Sequence, residues 1–190
     1  MILRPLTKNE IRLAKPLFGD AIDYAAVRIS SGKSIFLQPP GYAMTVSNSI
    51  YMDNRYREDY SQEASSLRAL FIHEMTHIWQ FQNKILNPLV EAMGLGLKHK
   101  FNYHAAYDFS LDKNKDLLHY GMEEQAEIIE GYFLARHESR AAQSPRCKNN
   151  CSAAEKLALY EKVLEKFLAN PAYAKRDEFP RKFKGKPPQP

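Results

Sequence analysis

The chain predicts an α+β fold: a small, mostly antiparallel N-terminal sheet packed on one long helix, followed by a helical C-terminal half. Between residues 24 and 52, short apolar and β-branched runs are separated by tight-turn signals, as in Ser31-Gly32-Lys33, Pro39-Pro40-Gly41 and Ser47-Asn48. From about Ser61 onward, apolar residues instead recur at three- and four-residue steps, the period of an amphipathic helix. The 190 residues suit one domain, predicted over 1–174, with a basic, proline-containing tail over 175–190 read as extended or disordered.

Thr7 to Phe18 reads as the first helix, with Thr7 as N-cap and Glu10 three residues on, a capping-box pattern. Gly19-Asp20 ends it. Tyr24 to Ser30 is a strand with Val27 and Ile29 alternating against Arg28, and Ser34 to Leu37 is a second. Ala43 to Val46 and Ser49 to Met52 are further strand segments. Asp53 to Tyr60, polar and tyrosine-rich, is a loop. A helix then runs from about Ser61 to about Gln82, with Leu67, Leu70, Phe71, Glu74 and Ile78 on its stepping pattern and Ile78 and Trp79 set against the sheet. Leu89 to Leu97 is a short helix loosened by glycines, and Lys98 to Leu118 is irregular. Gly121 to about Ala142 is a strong helix. Ser152 to Ala169 is another, opened by Ser152 and Glu155.

Hydrophobic residues make up 44% and charged residues 26%, values ordinary for a globular chain. The net charge of +5 gathers toward Lys175–Lys186, which reads as a solvated tail, so no nucleic-acid partner is expected. No apolar run approaches the roughly 18 residues of a membrane span. The N-terminal stretch lacks the apolar core of a secretory signal, so synthesis in the cytoplasm without a signal peptide is expected. Cys147 and Cys151 suit two free thiols or a short disulfide; a metal site there would need two more ligands, and none is close in sequence.

The chemistry concentrates in His73-Glu74-Met75-Thr76-His77. Residues four apart share a helix face, so both imidazoles can reach one ion. Glu74 follows the first histidine, where its carboxylate can take a proton from a water bound to that ion. Zinc in a hydrolase takes three protein ligands and keeps a fourth position for water, so a third ligand is required. Gly121-Met122-Glu123-Glu124-Gln125-Ala126-Glu127 is the best source. Glu123 and Glu127 lie one turn apart; one can ligate while the other hydrogen-bonds the free ring nitrogen of a ligand histidine. Glu124 is the rival ligand if the helix is turned by one residue. A helix glutamate taken alone is more often solvated than ligating, and the histidine pair is what raises Glu123 above that background.

The segment Phe71-Ile72-His73-Glu74-Met75-Thr76-His77-Ile78-Trp79-Gln80 resembles the active-site helix of zincin metallopeptidases. Glu123-Glu124-Gln125-Ala126-Glu127 is similar to the glutamate-ligand helix of the gluzincin branch. Phe18-Gly19-Asp20-Ala21-Ile22-Asp23-Tyr24 and Met44-Thr45-Val46-Ser47-Asn48-Ser49-Ile50-Tyr51 resemble small bacterial metallopeptidase domains associated with type VI secretion spikes and phage-tail-like injection systems. The resemblance covers roughly Leu17 to Phe133. It implies a zincin-like fold, Zn2+ held by His73, His77 and Glu123, Glu127 behind a ligand, and Glu74 as general base. It also implies a peptide or protein substrate paired along an edge strand within Ala43–Met52. An oxyanion-stabilising residue is expected, with His119 preferred over Tyr120, Tyr107 and His104. As partners it suggests a secretion spike or an immunity-type inhibitor, and as setting the periplasm of a target cell. The other reading is a zinc-containing binding or structural module of such a particle, without proteolysis.

Overall fold

The computed structural model describes residues 2–34, 38, 41–86, 108–138 and 146–180. Four short strands, β1 (Leu3–Pro5), β2 (Arg28–Ser30), β3 (Met44–Val46) and β4 (Ser49–Tyr51), form one sheet in the order β1-β2-β4-β3. Among the described residues five helices accompany it: α1 (Lys8–Phe18), α2 (Ser65–Gln82), α3 (Met122–His137), α4 (Ala153–Val163) and α5 (Glu165–Ala169). The class is α+β, as the pattern predicts. The sheet is mixed: β1–β2 and β3–β4 are antiparallel, whereas β2 and β4 run parallel with Ile29 opposite Ile50. The segment Ser34–Leu37, expected as a strand, lies largely outside the described residues, as does Leu89–Leu97.

Local chemistry fixes the entry of the chain. Thr7 caps α1 by accepting from the Glu10 amide, and Glu10 accepts back from the Thr7 amide, closing the capping box. Glu10 does more than cap. It is fully buried, takes the Arg4 guanidinium through both oxygens at 2.7 and 2.8 Å, and accepts from the Tyr60 amide at 3.0 Å. This ties β1, a strand the sequence pattern does not announce, to α1 and to the turn before α2. Two predicted elements begin or end differently. Tyr24–Ala26 forms a 3-10 turn capped by Asp23, leaving only Arg28–Ser30 in the sheet. Asp53–Arg55 and Tyr60–Gln62 are 3-10 turns, so α2 starts at Ser65 rather than near Ser61.

The central helix has no solvent face over much of its length. Every residue from Phe71 to Gln80 is buried. β3 packs on one side and α3 on another. Trp79, expected against the sheet, turns instead to the C-terminal helices: its ring meets Phe167 edge-on at 5.1 Å and its indole N–H donates to the Pro171 carbonyl at 2.8 Å. Phe167 also meets Phe18 at 5.9 Å. The helix predicted from Ser152 to Ala169 divides at Leu164, which lets α5 turn Phe167 into this aromatic cluster. Beyond it, the Arg176 amide donates to the Asn83 carbonyl and Phe179 lies beside Phe81, so the described part of the tail rests on the end of α2. Among the described residues no helix is long and apolar enough to cross a membrane.

α2 and α3 run antiparallel, as their side-chain pairs show. Ser65 and Arg68 reach Glu138, His73 reaches Glu130, His77 reaches Glu123, and Gln80 reaches the Met122 carbonyl. This pairing delivers the glutamates of α3 to the histidines of α2.

Candidate metal centre

His73 and His77 are one turn apart on α2, and both are buried, at 6% and 5% exposure. Their Nε2 atoms converge on one oxygen, Oε2 of Glu123, at 3.3 and 3.4 Å. Glu123 sits in the first turn of α3, where the helix N-terminus favours a carboxylate. The rival, Glu124, is turned the other way: its Oε2 accepts from the Gly121 amide at 2.7 Å and closes a cap on the same helix.

The separations test what the group can hold. A charged imidazolium–carboxylate hydrogen bond contracts to about 2.7–2.9 Å. Four ligands placed tetrahedrally about 2.0–2.1 Å from one zinc ion stand about 3.3 Å from one another. The two separations, 3.3 and 3.4 Å, fit the second geometry. Two nitrogens and one carboxylate oxygen are also a donor set suited to zinc, so His73, His77 and Glu123 fit the ion.

The three side chains are also coupled electrostatically. Burial pushes the His73 imidazole down, but hydrogen bonds to Glu123 and Glu130, with their charges, outweigh it and raise its pKa well above the ordinary value. His77 is likewise pushed down by burial and lifted overall by the Glu123 charge. Burial lifts Glu123, yet the two histidines hold its carboxyl far below the usual range.

The free ring nitrogens are held differently from one another. His73 Nδ1 lies 3.1 Å from Glu130 Oε2 and 4.0 Å from Glu127 Oε1. Glu127, expected in this role, is therefore in the cluster, but Glu130 is the nearer partner. Among the described residues His77 Nδ1 meets no acid; it lies 2.8 Å from the side-chain oxygen of Gln80. Glu74 is 4% exposed, and its Oε2 accepts a 2.6 Å hydrogen bond from Thr45 on β3. β3 is an edge strand of the sheet, lying within the segment expected to bind substrate.

His119 is not brought to this cluster by any described contact. It is exposed, ends the 3-10 turn Leu117–His119, and its Nδ1 accepts from the Asp116 amide at 3.1 Å. Tyr120 is buried, with its hydroxyl accepting from the Asp112 amide. His104 and Tyr107 lie outside the described residues. Cys147 and Cys151 are free thiols.

Sequence reasoning missed Glu130, Thr45, Gln80 and Gln125. Glu130 carried a readable signal, since it lies two turns after Glu123 on the same face. Thr45 carried none.

No family model matches the chain. It is 37% identical over 137 residues to the type VI secretion system spike protein VgrG2b of Pseudomonas aeruginosa, a match over 71% of this chain and 13% of that protein. The chain thus spans a small part of that relative's length. Among solved structures, the effector domain of Pseudomonas aeruginosa VgrG2b matches with a TM-score of 0.64 and 31% identity, over 85% of this chain and 82% of that one.

Proposed function

We propose that this chain, which belongs to the family of the VgrG2b effector domain, is a zinc-dependent peptidase and a type VI secretion effector. The carrying observation is the convergence of His73 Nε2 and His77 Nε2 on Glu123 Oε2 at 3.3 and 3.4 Å, with Glu74 buried next to His73. In this reading the fold is zincin-like, with α2 as the active-site helix and α3 as the glutamate-ligand helix. Zinc, when bound, supplies a Lewis acid that polarises the scissile carbonyl and acidifies water.

The chain's own residues do the rest. His73, His77 and Glu123 hold the ion. Glu130 fixes the ring of His73, and Gln80 that of His77. Glu74, aimed by Thr45, takes the proton as water attacks and returns it to the leaving amine as the C–N bond breaks. The substrate is a peptide or protein, laid along the edge strand β3. From the relatives' descriptions we infer delivery with a spike; the periplasm of a target cell as setting and an immunity-type inhibitor as partner are proposed on the family resemblance alone.

Similarity to part of a spike protein also favours a second reading, a zinc-containing module of the particle without proteolysis. Glu74→Gln decides between them. The peptidase reading expects a folded variant that binds zinc and cleaves nothing that the parent cleaves. A parent that binds zinc yet cleaves none of a broad set of peptides and proteins overturns it.

A further inference from the structure

Behind His77 lies a buried ladder of two glutamine side chains. Gln80 and Gln125 are 0% and 1% exposed, so no bulk water competes for their hydrogen bonds. Gln80 Nε2 donates to the Met122 carbonyl and to Gln125 Oε1, both at 3.0 Å. Gln125 Nε2 donates to the Tyr120 carbonyl at 2.8 Å. Gln80 Oε1 faces His77 Nδ1 at 2.8 Å.

The ladder has a direction, and main-chain atoms set it. The carbonyls of Tyr120 and Met122 can only accept. Gln125 must therefore present its amino group to Tyr120, which leaves its oxygen facing Gln80. Gln80 must present its amino group to Met122 and to that oxygen. Turning either amide over would press buried oxygen against oxygen and leave acceptors unpaired, at a cost of roughly 1–3 kcal/mol for each unsatisfied group. With its amino group so committed, Gln80 has only an oxygen to offer His77. Nδ1 must then carry the hydrogen, and the lone pair of Nε2 is directed at the Glu123 side.

We propose that Gln80 is a positioning residue that locks His77 into the Nδ1–H tautomer and registers it against the start of α3. The assignment rests on the zinc reading above. It divides the two ligand histidines by the character of their support: His73 is backed by a carboxylate, His77 by a neutral amide whose polarity is dictated from the backbone. Because the ladder ends on the Tyr120 and Met122 carbonyls, immediately before Glu123, the same contacts that orient His77 also place the third donor. A neutral partner accomplishes this without adding a further negative charge to a site that already holds Glu74, Glu123, Glu127 and Glu130.

The test is the two-bond 1H–15N spectrum of the zinc-loaded full chain, with zinc affinity measured by chelator competition on the parent and on Gln80→Met. The proposal expects His77 as the Nδ1–H tautomer with a slowly exchanging proton. It expects Gln80→Met to bind zinc roughly 10- to 100-fold more weakly. Gln125→Met, which leaves the Met122 carbonyl to hold Gln80, should weaken zinc less. A parent that binds zinc but shows His77 ligating through Nδ1 overturns the proposal alone, as does a folded Gln80→Met with zinc affinity within about twofold of the parent's. A parent that takes up no zinc overturns the peptidase reading and this proposal with it. The parent spectrum decides the tautomer even if Gln80→Met does not fold.

Discussion

Thr45 Oγ1 donates to Glu74 Oε2 at 2.6 Å, a contact between an edge strand and α2 across 29 residues of sequence. Glu74 thus owes its direction to the strand on which substrate is proposed to lie. Thr45→Val keeps the shape of the side chain and removes the donor. A hydrogen bond to a charged group contributes about 1.5–3 kcal/mol, so kcat should fall roughly 10- to 100-fold. Zinc content should hold steady and KM should change little, while Thr45→Ser should recover most of the rate. Steady-state kinetics beside metal analysis would show it; a Thr45→Val variant with parental kcat would remove Thr45 from any role in aiming Glu74.

Glu130 and Glu127 compete for one assignment, and distance separates them, 3.1 against 4.0 Å from His73 Nδ1. Glu130→Gln should weaken zinc binding by about 10-fold or more. Glu127→Gln should weaken it less. Paired chelator titrations give the order directly, and a larger loss for Glu127→Gln would reverse it.

Gly131 on α3 faces Tyr160 of α4. A methyl group built there would overlap the hydroxyl and ring of the buried Tyr160. Gly131→Ala should therefore destabilise the protein despite the better helix propensity of alanine, by about 1–3 kcal/mol. Thermal unfolding should register a drop in Tm of several degrees, and Gly131→Ala with Tyr160→Phe should recover part of it.

Glu10 is buried and paired, so losing its charge strands the mostly buried Arg4 guanidinium. Glu10→Gln should cost about 3 kcal/mol, within the range for breaking a buried pair. Denaturant unfolding would measure it. Zinc affinity of the remaining folded protein should be unchanged, because this anchor touches β1, α1 and the Tyr60 turn rather than the centre.

What was legible in the sequence followed local rules. The Thr7–Glu10 and Ser152–Glu155 capping boxes and the course of α2 are written in residues three or four apart. The break at Leu164 is not, because Leu-Glu-Lys-Phe suits a continuous helix and only the aromatic cluster around Trp79 asks for a turn. The parallel pairing of β2 with β4 and the pairing of β1 depend on distant partners, as does Thr45. Glu123 was readable as a candidate because the histidine pair lacked a third donor. Choosing Glu130 over Glu127 as the nearer support of His73 required the antiparallel crossing of α2 and α3, which no single helix carries in its own pattern.

The unbroken burial from Phe71 to Gln80 has a consequence for how this region tolerates change. A helix on a protein surface gives a rippled profile when every position is substituted in turn, with a permissive residue every three or four steps. Here ten consecutive residues are committed, some to packing, some to holding the proposed ion, some to orienting what holds it. A saturation scan scored for folded yield and zinc retention should show a plateau of intolerance across this stretch. The ripple should return only toward Arg68 and Leu70 on one side and Phe81 and Gln82 on the other, where side chains meet solvent again.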